Sequence, residues 1–366
     1  MKKSLLALAV LGAFAGAASA QSSVTIYGIV DAGIVAESGN PAGSVTKLTS
    51  GVSAGSRLGF RGTEDLGGGM AAIFALETGI LIDTGANGQG QVFANQNGLV
   101  FGRQDYVGLT GGFGSVTAGR QYNPYFLTVG TVDPFGAGYA GTSGNLMSPT
   151  GSNGRTNNSI QYSTPTMGGF SGALMYAFGE VVGDNSLGRV INGAVAYANG
   201  PVWVRLAYQN QNTTPTDSSK NAILAGSYDF GPAKLQAAYA TAKGPGSTSI
   251  PQQVVGFNAG TGKPFTAVPA TASTDARDFL IGVTVPFGAN KVMASYIRRD
   301  DRTTFNQDAN AIAVGYDYSL SKRTTLYAAY ARISNKNGAA YTVLNAGDVT
   351  AGSGDKAFNL GVRHTF

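Results

Sequence analysis

The sequence predicts an all-β protein, an antiparallel β-barrel of sixteen strands that crosses a membrane. Three observations carry that reading. Apolar and polar residues alternate with a period of two in stretch after stretch. The connections between these stretches alternate between short and long. Charged residues make up only 12% of the chain, about half the share of an ordinary soluble domain, yet beyond the N-terminus no run reaches the roughly 18 apolar residues of a spanning helix.

Taken from the N-terminus, "MKKSLLALAVLGAFAGAASA" has two lysines, an apolar run and Ala18-Ser19-Ala20, a small-x-small cleavage site. It reads as an export signal over residues 1–20, which leaves a barrel domain over 21–366. Without Lys2 and Lys3 the chain holds 23 basic and 20 acidic residues. That balance argues against a nucleic-acid binder, which shows a basic stripe or tail. Cysteine is absent and glycine numbers 54, so neither a disulfide framework nor a helical fold is expected.

The strands show their faces directly. In "GPVWVRLAYQNQ", Val202, Val204, Leu206 and Tyr208 oppose Trp203, Arg205, Ala207 and Gln209. In "ANAIAVGYDYSLS", Ile312, Val314, Tyr316, Tyr318 and Leu320 oppose Ala311, Ala313, Gly315, Asp317 and Ser319. "RDFLIGVTVPFG" sets Phe279, Ile281, Val283, Val285 and Phe287 against Asp278, Gly282 and Thr284. The second faces are small and polar, as a water-lined interior requires. Short turns fall at 66–69, 110–114, 165–169, 199–201, 230–232, 286–290 and 320–322. Long polar connections are expected near 38–52, 82–99, 122–156, 181–187, 211–220, 243–275, 302–308 and 335–354. Tight turns at one end and long loops at the other are the layout of a closed outer-membrane barrel, whose closure satisfies every backbone group in lipid.

Two stretches break the pattern. Arg332 shares parity with Leu326 and Tyr330, which calls for a bulge or the outer end of a strand. Arg103 and Asp105 share parity with Val107 and Leu109. The chain closes on "KAFNLGVRHTF", where Phe358, Leu360, Val362 and Phe366 lie on one face, so the final strand runs to the last residue.

Taken together, "SVTIYGIVDAGI", "SRLGFRGTEDLGGGM", "YVGLTGGFGSVTAGRQYNP" and "GVRHTF" resemble the general diffusion porins of Gram-negative bacteria, in particular the trimeric porins of beta-proteobacteria. The likeness covers the mature chain. It implies an outer-membrane homotrimer, passive diffusion of small hydrophilic solutes and ions, and a third external loop folded into the barrel. It also implies a last strand paired with the first, and contact with outer-membrane lipid and lipopolysaccharide. Phe366, Val362, Leu360 and His364 then match the signal read by the barrel assembly machinery. Asp133, Pro134, Phe135 and Gly136 match the constricting loop, with Asp133 the only acid between Asn123 and Gly154. Arg57, Arg103 and Arg155 match the arginines of the opposite wall, and Arg61 and Arg120 are further candidates. Parity sends Arg57 and Arg61 into the lumen, where an arginine avoids the roughly 2–4 kcal/mol cost of facing lipid. Asp31, Glu77 and Asp105 are lumen acids by the same rule. Relatives often carry lysine where this chain has Ile29. Arginines facing few carboxylates predict weak anion preference.

Other chemistry has thin support. "GVSAG" (51–55) matches G-x-S-x-G, which makes a barrel-type esterase or phospholipase an alternative, but its partner would have to be His364, the sole histidine. "AGTGKP" (259–264) departs from the phosphate-loop pattern, and no spacing suggests zinc. No cofactor is expected. A solute-specific channel would show a lumen ladder of aromatics, whereas Tyr208, Tyr239, Tyr316 and Tyr318 share the lipid-facing parity. Adhesion through the long loops, 243–275 above all, stays open.

Overall fold

The computed structural model describes residues 23–40, 43–88, 100–147, 154–245, 247, 273–337, 339, 341–343 and 354–366. The proposed export signal and "AGTGKP" lie outside the described residues. The strands are β1 (Ser23–Asn40), β2 (Gly43–Ser50), β3 (Arg57–Gly67), β4 (Met70–Leu81), β5 (Ala86–Asn87), β6 (Gln104–Gly111) and β7 (Gly114–Tyr122). After the third loop come β8 (Arg155–Ser163), β9 (Phe170–Ala177), β10 (Val190–Asn199), β11 (Val202–Asn212), β12 (Ser218–Asp229) and β13 (Lys234–Pro245). The wall ends with β14 (Ser273–Phe287), β15 (Asn290–Asp301), β16 (Ala309–Ser319), β17 (Thr324–Asn335) and β18 (Lys356–Thr365).

These segments form a closed antiparallel barrel of sixteen staves. Two features reconcile that number with the strand list. The two-residue β5 only folds back on the end of β4. β2 and β3 are one stave, since β2 pairs with the outer half of β1 (Ala32↔Ser50) and β3 with its inner half (Ile29↔Arg57). Residues 51–56 break that stave and turn into the lumen. β1 and β18 close the wall from Ile29↔Thr365 to Ser38↔Lys356. Phe366 adds reciprocal backbone bonds to Gly28, at 3.2 and 3.1 Å.

All seven predicted short turns join adjacent strands at one end of the barrel. One long connection needs correction. Residues 38–52 are mostly strand, and only 41–42 separate β1 from β2. Lys47 pairs with Glu37 across them at 2.9 Å, a polar link that makes an inward-facing charge tolerable and lets the hairpin continue. Arg332 sits at the long-loop end of β17 with unbroken register on both sides, so no bulge is needed.

The face assignments of the sequence hold. Val204, Leu206, Tyr208, Ile312, Val314, Tyr316, Phe358, Leu360 and Val362 are exposed on the outer wall, where lipid meets them. The packed core lies inside the barrel, between the third loop and the wall opposite it. There the inward positions of β12–β17 are alanine, glycine and a few larger residues, among them Ala225, Ala238, Leu280, Met293, Ile297 and Ala313. Small residues leave room for a second layer of chain.

The third loop supplies that layer. It opens with helix α1 (Pro124–Val132), capped by Asn123, whose Oδ1 accepts from Phe126 N–H at 2.8 Å, with proline in its first turn. Tyr125, Val129 and Val132 bury one side of α1. The chain then crosses to β14–β18, where Phe135 seats over Gly315 of β16 and beside Gly141 of the loop itself. A Cβ at Gly315 would stand 2.7 Å from the Phe135 ring, so only glycine fits beneath it. Truncating Phe135 to alanine is expected to cost about 3–5 kcal/mol of stability, read as a lower unfolding midpoint in detergent. An unchanged midpoint would mean that the ring is not seated.

Candidate functional site: the loop-three constriction

The loop is fastened at both ends of its crossing. Tyr125 N–H donates to Asn192 Oδ1 on β10 at 3.1 Å. On the far side Tyr139 O–H donates to Asp317 at 2.7 Å, Ala140 N–H to Asn359 at 2.6 Å, and Arg299 to the Leu146 carbonyl at 2.5 Å. Tyr139 N–H also reaches the Val52 carbonyl at 2.6 Å, in the inward excursion of residues 51–56.

Asp133 is not the pore-facing acid that the sequence suggests. It is 4% exposed, and its carboxylate accepts from the N–H groups of Phe135 (2.9 Å), Ala137 (3.2 Å) and Ser143 (2.8 Å). Burial raises its pKa, while these donors pull the other way. The carboxylate shapes the loop tip. With proline and glycine next to it, the local backbone needs an acceptor more than the pore needs a charge.

Across the passage, three of the predicted arginines come together. Arg103 Nε lies 2.7 Å from Glu77 Oε1, and Arg57 Nη1 lies 3.9 Å from the same oxygen. Tyr27 donates to Glu77 Oε2 at 3.1 Å. The Tyr122 hydroxyl accepts from Arg103 at 2.8 Å and from Arg155 at 2.5 Å, and the Arg155 guanidinium lies 4.4 Å from the Tyr122 ring centroid. Two guanidiniums thus share the Glu77 carboxylate, and the Tyr122 hydroxyl links the third to them. The structure places Glu77 within the cluster, buried rather than facing water. Tyr27 and Tyr122 had no role in the sequence reading. Tyr122 stands in the quoted "GRQYNP", and a tyrosine beside arginines at a strand end was the available signal.

Arg61 faces inward and is exposed, four residues nearer the short-turn end, about 13 Å below Arg57 along the strand. Arg120 and Asp105 do not face the pore. They are paired positions on the outer wall, aligned with Val116 and Ala118 on β7 and with Val107 and Leu109 on β6. Arg120 Nε donates to the Gly102 carbonyl at 2.7 Å, and its guanidinium also meets Asn157. Arg103 shares parity with Asp105 yet points inward because it precedes β6 and escapes the strand's alternation. Asp31 does face inward but is fully buried. It fastens the excursion, accepting from Ser53 N–H (3.0 Å), Ala54 N–H (2.9 Å) and the Tyr327 hydroxyl (2.6 Å).

Between the rims the exposed inward charge is mostly basic, although Arg103, Arg155 and Arg299 are themselves at most 7% exposed and Asp65 and Asp229 are open at the short-turn end. Asp31, Glu37, Glu77, Asp133, Asp278 and Asp317, on the inner wall or in the loop, are at most 4% exposed. Arg61 is open to the lumen, and Arg57, Arg205, Lys234, Lys291 and Arg363 keep partial access. Parity already placed Arg205 and Arg363 opposite the lipid face.

The esterase alternative fails on geometry. Ser53 Oγ accepts from Arg363 at 2.9 Å inside the barrel, whereas His364 Nδ1 meets Thr324 at 2.9 Å on the outer wall. No pair forms across the wall.

A closed barrel with a tethered loop across its lumen defines an outer-membrane channel. The chain belongs to the Gram-negative porin family, whose description matches residues 7–338, and it forms a water-filled channel of that kind. It is 36% identical to outer membrane porin protein 32 of Delftia acidovorans over the full length of both chains. It is 35% identical to an outer membrane porin protein of Bordetella pertussis, covering 90% of this chain and 93% of that one. Among solved structures it is similar to the anion-selective porin from Comamonas acidovorans. That match has a TM-score of 0.74 and 32% identity, and covers 94% of this chain and 100% of that one.

Proposed function

We propose that this porin passes small hydrophilic solutes and ions by passive diffusion with a preference for anions. One observation carries the reading. At the constriction Arg57 and Arg103 converge on Glu77 and Arg155 joins Arg103 on the Tyr122 hydroxyl, while the loop opposite offers a buried Asp133 in place of an acidic face. Fixed cations at a narrow, poorly screened point favour anions. The selectivity named for the Comamonas acidovorans relative points the same way. Arg61 continues the basic wall toward the short-turn end, and Asp31 and Glu77 act as supports for it. The tyrosines that a sugar ladder would need, Tyr208, Tyr239, Tyr316 and Tyr318, lie outward, which favours general diffusion over a solute-specific channel or a hydrolase.

The working unit in this reading is a homotrimer in the outer membrane, exported with a cleaved signal over residues 1–20. Outward Asp105 and Arg120 support it, because a neighbouring subunit covers charges that lipid would not. Outer-membrane lipid and lipopolysaccharide surround the rest. Phe366, His364, Val362 and Leu360 share the outer face of β18, in reach of the assembly machinery. Planar-bilayer recording of the purified protein under a salt gradient tests the proposal. The expected result is a reversal potential of anion sign with closure in three steps. A cation-selective or non-conducting insert would overturn it.

A further inference from the structure

Between the constriction and the short-turn end, the inner wall holds an aromatic surface that anion preference alone does not require. Tyr27 stands on β1 and its hydroxyl reaches Glu77 on β4 at 3.1 Å, so the side chain spans the width of β3. The residue beneath it is Gly59, the inward position between Arg57 and Arg61. A Cβ at Gly59 would collide with the ring, standing 2.7 Å from Cε1 and from the hydroxyl oxygen, so only glycine admits this path. The ring therefore lies down along the wall with its outer side toward the lumen, and Tyr27 keeps partial exposure.

Cations bracket this ring. The Arg61 guanidinium lies 5.3 Å from its centroid, within reach of cation–π attraction. Arg57 stands on the other side of Gly59 and is the cross-strand partner of Ile29. Ile29 is the next inward position after Tyr27 and is also partly exposed, so apolar surface continues from the ring toward the constriction. In the row of Arg61, across the small Ala75, stands the inward and partly exposed Tyr106. Arg61 itself is exposed and has no carboxylate or hydrogen-bond acceptor among the described residues. Its five N–H groups are open to a solute.

Shape decides which solute fits. A carboxylate joined to an aromatic ring lies in the plane of that ring. Laid flat on Tyr27, such a solute presents both oxygens edge-on to a guanidinium beside it, as a two-bond contact needs. Its ring stacks on the tyrosine as well. A saturated ring of equal charge has no flat face, a tetrahedral phosphate sets its oxygens out of plane, and chloride uses the cation but not the ring.

We infer that Tyr27, Ile29 and Arg61, with Tyr106 at the edge, form a lumen subsite for small aromatic carboxylates just below the constriction. The inference rests on the proposed anion preference and adds a solute class to it. Two rings at one place are not a ladder along the pore, so the channel stays a general one.

The test is inhibition of the chloride current through single channels at neutral pH by benzoate or by cyclohexanecarboxylate, anions of equal charge and similar size. In the wild type, benzoate should half-inhibit at about a fivefold lower concentration. Y27L should bring the two values together, whereas Y27F should keep them apart, because the ring and not the hydroxyl makes the contact. R61Q should raise both values by about fivefold and leave their ratio in place. Each comparison is made within one channel, so a general change in conductance does not enter it. Equal inhibition by the two anions in an anion-selective wild type, or an undiminished benzoate preference in Y27L, would overturn the inference while the channel reading stands. Should Y27L not insert, an R61Q channel that responds to both anions as the wild type does overturns it equally. A non-conducting or cation-selective wild type would remove the channel reading and this inference together.

Discussion

Replacing Arg57, Arg103 and Arg155 together by serine shifts the reversal potential of the channel toward cation preference. A unit charge about 8 Å from a permeating ion in water acts with about 0.5 kcal/mol. Three such charges, reduced by salt screening, change the permeability ratio about five- to tenfold. The structure adds a reason for a shift at the upper end. Glu77 is bound by Arg103 at 2.7 Å and approached by Arg57 at 3.9 Å. Without them its carboxylate keeps the Tyr27 hydroxyl and is left as an unanswered negative charge in the wall opposite the loop. The measurement is a salt-gradient recording of variant and parent in the same bilayer. A reversal potential equal to the parent's would remove these arginines from the selectivity filter.

Asp31→Asn is expected to loosen the channel without touching its charge at the mouth. The Asp31 carboxylate spends both oxygens on structure, one on Tyr327 and one on the N–H groups of Ser53 and Ala54. The excursion so held receives Tyr139 of the loop at the Val52 carbonyl. It also offers the Gly55 carbonyl to Arg57 at 3.0 Å. Asparagine can keep its oxygen on the two N–H groups and turn its amide to the Tyr327 hydroxyl, which must then accept, so all three bonds lose the charge of the carboxylate. Hydrogen bonds to a charged group are worth about 1.5–3 kcal/mol, and the expected loss is about 3 kcal/mol in unfolding free energy. Because the excursion supports both walls of the constriction, open-channel noise should rise along with it. Unfolding in denaturant and single-channel recording check the two effects. Parent-like stability together with parent-like noise would show that Asp31 is not the fastening.

The sequence made some parts of this site legible and hid others. Parity placed Arg57 and Arg61 in the lumen because both lie within β3, where alternation applies. Alternation also held for Asp105, which faces outward with Val107 and Leu109, so its assignment as a lumen acid falls, whereas Arg103 departs from that parity because it precedes β6. Arg120, a further candidate beside the arginines that the resemblance matched, belongs to the outward set of β7. The helix capped by Asn123 was not anticipated, and Tyr122 before it, which bridges two guanidiniums, was left without a role.

By itself the sequence determined the wall: sixteen staves, their outer faces and the end that carries the short turns. These depend on neighbours in the chain, because side chains alternate with a period of two whatever else surrounds them. Only the tertiary structure decided the interior. Whether Asp133 and Asp31 are pore charges or struts depends on which N–H groups reach them across the barrel, and residues 51–56 became a seat for the loop because Asp31 and Tyr139 meet them there. Local alternation says which way a side chain leaves the backbone, and only the folded chain says what stands in its path.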